Sequence, residues 1–251
     1  MNKFFNNITV FAALFTSIIA ALSLAGLFDG DGKSTAANYT ETSRNRAALI
    51  IDAGHGGADG GAVSASGTCE SELNLDISLK LEQIMGLYGI PSVMTRSTEE
   101  IQYPDSAQTI SAKKKADQRG RLELIKSTDN AVLISIHQNK YTSTGPHGTQ
   151  VLYAPTEGSE AFSDSMQTAL KEALRPDRER QVAQIQKSIY LMNNIDCPAL
   201  LIECGFLSNP ADEKLLKTEE YRLKIASAVA AGYIAAMPDL ELTLFGGTNE
   251  S

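Results

Sequence analysis

Three residues able to do chemistry stand where apolar runs of this sequence stop. His55 follows Ala47-Ala48-Leu49-Ile50-Ile51, inside the glycine-rich stretch Asp52-Ala53-Gly54-His55-Gly56-Gly57. His137 closes Ala131-Val132-Leu133-Ile134-Ser135-Ile136, and Glu203 closes Ala199-Leu200-Leu201-Ile202. Short apolar runs bounded by turn residues read as buried strands, so the backbone positions whatever stands at their ends. Glycines on both sides of His55 let the chain turn sharply and let another group approach closely. A glutamate at the end of a buried strand is costly unless something pairs with it.

A fourth residue joins them from a helix. Glu70 to Leu87 has helical periodicity, with Leu73, Ile77, Leu81 and Ile84 on one stripe. Counting back from Leu73 puts Glu70 on that inward stripe, whereas Glu72 falls on the polar side with Asp76 and Gln83. The plainer reading is a first-turn glutamate that favours the helix dipole, a place either residue fills.

Two neutral imidazoles and one carboxylate form a set that holds catalytic zinc and leaves a fourth position for water. His55, Glu70 and His137 supply that set, and Glu203 is then the group that takes a proton from the attacking water and passes it to a leaving amine. Zinc lowers the pKa of water to about 7 and polarises a carbonyl, so the chemistry is hydrolysis of an amide or ester. Other readings compete. Taken alone, the His55 stretch is equally a glycine turn with an incidental histidine. A nucleotide loop is disfavoured, because Asp59 stands where the dinucleotide fingerprint needs a small residue and no lysine serves a phosphate. No Gly-x-Ser-x-Gly is present for a serine hydrolase, while Cys204 beside Glu203, with a histidine base, leaves a cysteine hydrolase as an alternative. His147 reads as a loop histidine at the rim of a cleft, outside the ligand set.

The intervening elements complete the frame. Ser92 to Thr95 and Thr149 to Tyr153 read as strands; Ser111 to Ser127, Ser159 to Leu174 and Glu219 to Ala236 read as helices. Ser188 to Leu191 reads as a short strand or an extended loop. The run Lys113, Lys114, Lys115, Arg119 and Arg121 reads as a solvated helix face, with contact to an acidic polymer as the other reading. Alternating strands and helices imply a single α/β domain whose mostly parallel, twisted sheet carries helices on both faces. Right-handed crossovers then bring the strand ends to one edge, where such sheets bind ligands.

Composition fits one exported domain. The chain has 251 residues, 43% of them apolar, enough for one sizeable core. A net charge of −8 without a basic stripe argues against nucleic acid. Residues 1–28, with Lys3 ahead of the apolar run Ile8 to Phe28, read as a signal peptide or a membrane anchor. Residues 29–45 read as a flexible linker, 46–237 as the catalytic domain and 238–251 as a loose tail. This places the domain outside the cytoplasm, secreted or anchored to the membrane. Three cysteines, Cys69, Cys197 and Cys204, are an odd number and exclude a disulfide scaffold.

Four segments in order carry a resemblance. Asp52-Ala53-Gly54-His55-Gly56-Gly57, Glu70-x-x-x-Asn74-Leu75, Ser135-Ile136-His137-Gln138-Asn139 and Ile202-Glu203-Cys204-Gly205-Phe206-Leu207-Ser208-Asn209 resemble the zinc-dependent N-acetylmuramoyl-L-alanine amidases of bacterial cell walls, over about residues 47–237. The resemblance implies zinc ligands His55, Glu70 and His137, the catalytic glutamate Glu203, and peptidoglycan as substrate, cut between muramic acid and L-alanine. Ala53 stands where the family's loop has proline, and Lys140 where it often has alanine. Cys204 fills a place often small or apolar, which raises the question of a thiol near zinc. The compact form is also similar to the sporulation amidase that prepares spore cortex, and positioning falls to the N-terminal anchor or an activator protein. A zinc peptidase acting on the stem peptide and a non-catalytic wall-binding protein are the alternatives.

Overall fold

The computed structural model describes residues 46–176 and 179–246; the signal or anchor 1–28 and the linker 29–45 lie outside the described residues. The strands are β1 (Ala48–Ala53), β2 (Ser92–Met94), β3 (Ala131–Asn139), β4 (Gln150–Tyr153), β5 (Ala183–Gln184) and β6 (Ala199–Phe206). The helices are α1 (Glu70–Leu87), α2 (Ile110–Lys126), α3 (Ser159–Leu174), α4 (Pro210–Leu216) and α5 (Glu219–Phe245).

The strands form one sheet in the order β2-β1-β3-β6-β4-β5. β1, β2, β3 and β6 run parallel, while β4 pairs antiparallel with β6 and carries β5 with it. Parallel strands covered on both faces need apolar residues in succession, and Leu49, Ile50 and Ile51 of β1 are all fully buried, as are Val132, Leu133 and Ile134 of β3. One face packs on α1, α3 and α5 through residues such as Ile77, Leu81, Phe162 and Tyr233. The other packs on Ile125 and Leu122 of α2 and on a 3-10 turn at Leu191–Asn193, where the sequence suggested an extended segment just before. Parallel register puts Asp52 beside Ser135 and His137 beside Glu203, so three strands end together.

Caps mark where the helices start. Thr109 and Thr218 accept the N–H groups of Ala112 and Tyr221, and Asn209 caps α4 ahead of Pro210. α5 departs from expectation: it continues through Pro238 to Phe245 instead of giving way to a loose tail. A proline inside a helix costs about 3 kcal/mol or more. Burial of Ala236 and Leu240 on either side of it holds both turns against the core, so packing outweighs the local penalty.

Gly232 lets α5 approach α3: a Cβ there would sit 2.8 Å from Met166 Sδ and 3.1 Å from Met166 Cα. The sulfur can rotate aside but the backbone carbon cannot. Alanine gains about 1 kcal/mol of helix propensity, yet overpacking costs roughly 1–3 kcal/mol. Gly232→Ala is therefore predicted to lower the unfolding free energy by about 1 kcal/mol in urea titrations. Gly120→Ala, on the exposed face of α2 with nothing near its Cβ, should raise it by about 0.5–1 kcal/mol. Equal signs for the two would refute the packing argument.

Candidate metal centre

His55 leaves β1 in a conformation that few side chains adopt, with φ at +60°. Such a residue costs on the order of 1–3 kcal/mol and persists only where its surroundings fix it. Here two buried arginines fix it. Arg121 donates to the carbonyls of Ala53 and His55, both at 2.6 Å, and to Asp52 Oδ1 at 2.7 Å. Arg96 donates to the carbonyls of Ala53 at 2.9 Å, Gly54 at 3.1 Å and Ser71 at 2.8 Å. Together they satisfy the carbonyls that the turn exposes and tie it to the start of α1.

Asp52 makes a buried Arg121 tolerable. Burial works against its charge, but Arg121 beside it and the Ser135 hydroxyl, 2.5 Å from Oδ2, hold the carboxyl at about 2. Thr95 Oγ1 donates to its other oxygen at 2.8 Å. The sequence reading of α2 as a solvated charge run fails at this point, since Arg121 is only 6% exposed. Lys114 is also drawn to the site, with Nζ 2.8 Å from Asp59 Oδ2. Asp59 in turn lies 2.9 Å from His55 Nδ1, which leaves His55 Nε2 for the centre. Burial lowers and the Glu70 and Asp59 carboxylates raise the His55 pKa, with a net rise.

Glu70 is the hub. It is buried while Glu72 is exposed, as the helical stripe implied. Its Oε1 lies 3.0 Å from His137 Nδ1 and 3.4 Å from His55 Nε2, and accepts the Gln138 N–H at 3.0 Å. Its Oε2 accepts the Ala62 N–H at 2.7 Å. Burial opposes its charge, yet His137 and His55 hold it well below the usual carboxylate range. One ligand atom from each of His55, Glu70 and His137 lies within 4.8 Å of the other two. Two glycines make room for these side chains: a Cβ on Gly54 would come within 2.3 Å of His137 Nε2, and one on Gly61 within 2.6 Å of Glu70 Oε2.

Glu203 sits beside His137 on the neighbouring strand and is half-buried, but its Oε2 is sealed from solvent with no hydrogen-bond partner among the described residues. Burial pushes its pKa up to about 7, against the pull of His137 and His55 and with a push from Glu70. The cysteine-hydrolase alternative does not survive. Strand neighbours face opposite sides, so Cys204 lies in the apolar core with Ile202 and Ile136, and burial drives its thiol pKa up rather than down. At 1% exposure the Cys204 thiol is shielded from solvent. His147 Nδ1 lies 2.9 Å from its neighbour Gly145's carbonyl, apart from the His55, Glu70 and His137 group.

Asp52, Asp59, Arg96, Arg121 and Lys114 were not singled out for the site by sequence reasoning. Asp52 carried a usable signal, because it ends a buried apolar run just as Glu203 does.

A family model described as N-acetylmuramoyl-L-alanine amidase matches residues 49–235. The germination-specific N-acetylmuramoyl-L-alanine amidase of Bacillus subtilis (strain 168) is 32% identical over 188 residues, covering 74% of this chain and 78% of that protein. The CwlD amidase of Clostridioides difficile, solved in complex with the GerS lipoprotein, superposes with a TM-score of 0.73 at 33% identity over 77% of this chain and 99% of that one. The catalytic domain of CwlV, an amidase from Bacillus (Paenibacillus) polymyxa var. colistinus, gives 0.65 at 28% identity over 77% and 99%. By sequence and by fold, the chain belongs to the N-acetylmuramoyl-L-alanine amidase family.

Proposed function

We propose that this amidase works with zinc held by His55, Glu70 and His137, and that Glu203 handles the proton during cleavage of the bond between muramic acid and L-alanine. One observation carries the reading: three ligand atoms converge within 4.8 Å beside a sealed, unpartnered carboxylate oxygen on Glu203. Two imidazole nitrogens and one carboxylate oxygen suit a catalytic zinc, and Gly54 and Gly61 give the His137 ring and the Glu70 carboxylate room to converge. Asp59 behind His55 and the Gln138 and Ala62 N–H groups on Glu70 orient the donors, as outer partners of metal ligands do.

When bound, zinc supplies a Lewis acid that polarises the lactyl carbonyl and makes water more acidic. Glu203 accepts a proton from the attacking water as its oxygen adds to the carbonyl carbon. The C–N bond then breaks, and Glu203 returns that proton to the alanine nitrogen. The products are a lactyl carboxylic acid, which gives its proton to the released amine or to solvent, and a stem peptide with a free amine. A carboxyl held near neutral pKa is able both to take and to return a proton.

Such a substrate lies outside the cytoplasmic membrane, which agrees with reading residues 1–28 as a signal or anchor. The similarity to a germination-specific amidase and to CwlD supports a sporulation or cortex role, and the GerS complex of CwlD supports a dependence on an activating partner.

Mass analysis of products from purified peptidoglycan tests the bond cut: intact stem peptides with a free L-alanine amine are expected, and fragments cut within the stem would favour a peptidase. Glu203→Gln should keep its zinc and lose at least about 100-fold in kcat, the low end of what a positioned acid or base contributes. Full turnover in that variant excludes the role given to Glu203. Zinc content should fall in Glu70→Ala and stay at one per chain in Glu72→Ala; the reverse would move the ligand to the other glutamate. Because the base must be ionised, kcat/KM is expected to fall on the acid side as Glu203 protonates, with a midpoint at or below about 7. A kcat/KM that stays level from pH 8 down to about pH 3 with zinc still bound would contradict this.

A further inference from the structure

The loop between the His55 turn and α1 is fastened from outside by Lys140 Nζ, which donates to the Val63 carbonyl at 2.7 Å, by Lys217 Nζ, 3.5 Å from Ser66 Oγ, and above all by one carboxylate oxygen that gathers three hydroxyls. Glu213 Oε1, on α4, accepts Ser64 Oγ at 2.6 Å, Thr68 Oγ1 at 2.8 Å and the Ser66 hydroxyl. The loop is also closed on itself. Ser64 N–H donates to the Thr68 carbonyl and Thr68 N–H to Ser64 Oγ, each at 2.9 Å, and Val63 bridges to Cys69. A loop braced in this way moves as one piece.

Its inner end controls Glu70. Ala62 gives its N–H to Glu70 Oε2 at 2.7 Å, and its carbonyl accepts the Glu70 N–H at 2.8 Å. The position of the loop therefore sets the orientation of the buried carboxylate. α4 is fixed independently to the other half of the site: Asp212 Oδ2 accepts the N–H groups of Phe206 and Gly148, both at 2.9 Å. Phe206 ends the strand that carries Glu203. Two consecutive carboxylates on one short helix thus fasten the Glu70 loop to the end of the Glu203 strand.

We propose that Glu213 is a positioning residue for the amidase reaction: by gathering Ser64, Ser66 and Thr68 it holds the Ala62 N–H on Glu70, and so sets the Glu70 carboxylate relative to Glu203. It touches neither the scissile bond nor the ion and acts through the loop. The inference rests on zinc being held by His55, Glu70 and His137. Glu213 is half-exposed, so its removal leaves the core intact.

The test is zinc affinity of the full chain, measured by competition with a chromophoric chelator alongside the denaturation midpoint of the metal-free protein. Glu213→Ala is expected to weaken zinc binding about tenfold, the lower end for outer partners of metal ligands, with the metal-free midpoint unchanged. Glu213→Gln, which keeps an acceptor oxygen, should recover most of that loss. The double variant Ser66→Ala/Thr68→Val should weaken zinc in the same way and add nothing to Glu213→Ala. Should Glu213→Ala fail to fold, the loop variant alone decides by the same criterion. Wild-type affinity in these variants, or a lowered metal-free midpoint with affinity unmoved, overturns the positioning role and leaves the zinc reading standing. A wild-type chain that binds no zinc removes both.

Discussion

A carboxylate at 3% exposure, wedged between two imidazoles, is the constraint from which the rest of this structure follows. Glu70 sits where charge is expensive, and desolvation of a carboxylate costs several kcal/mol unless it is paired and hydrogen-bonded. Two backbone N–H groups and two histidines surround it. Those neighbours come from three pieces of chain, since His137 and Gln138 adjoin at the end of β3. The charge at Glu70 therefore specifies the relative placement of the β1 turn, the end of β3, the loop before α1 and α1 itself.

A second buried charge underlies the first. The Asp52–Arg121 pair lies beneath the His55 turn, and the guanidinium's other donors go to the carbonyls of Ala53 and His55 and, through Nε, to the Asp117 carboxylate at 3.0 Å. A buried pair is weak evidence for net stability, because desolvation offsets attraction. Its evident effect is to specify one conformation, with φ positive at His55 and the imidazole directed by Asp59. The parallel sheet supplies what no side chain can, three adjacent strand ends in one register. Function and fold meet there: the strands bring His55, His137 and Glu203 together, and α1 adds Glu70 from the helix that covers them.

Much of this was legible in the residue order. Apolar runs that stop at His55, His137 and Glu203 reveal both the strands and their shared edge, because a buried parallel strand needs unbroken hydrophobicity and its end does not. The choice of Glu70 over Glu72 followed from helical spacing alone. Arg121 could not be read in this way, since a guanidinium among lysines looks solvated until a buried Asp52 is known to lie opposite it. Cys204 was misleading for a related reason: adjacency to Glu203 along the strand places it on the opposite face. Pro238 signalled an end that the packing of Ala236 and Leu240 overrides. The clasp of Glu213 on three hydroxyls joins residues about 150 positions apart, a pairing that local pattern cannot contain.

X-ray absorption at the zinc edge of the loaded enzyme tests the central claim most directly. The account predicts a first shell of nitrogen and oxygen only, at about 2.0–2.2 Å, with the outer-shell scattering of two imidazoles. Sulfur at about 2.3 Å, or a single imidazole, would contradict a centre built from His55, Glu70 and His137.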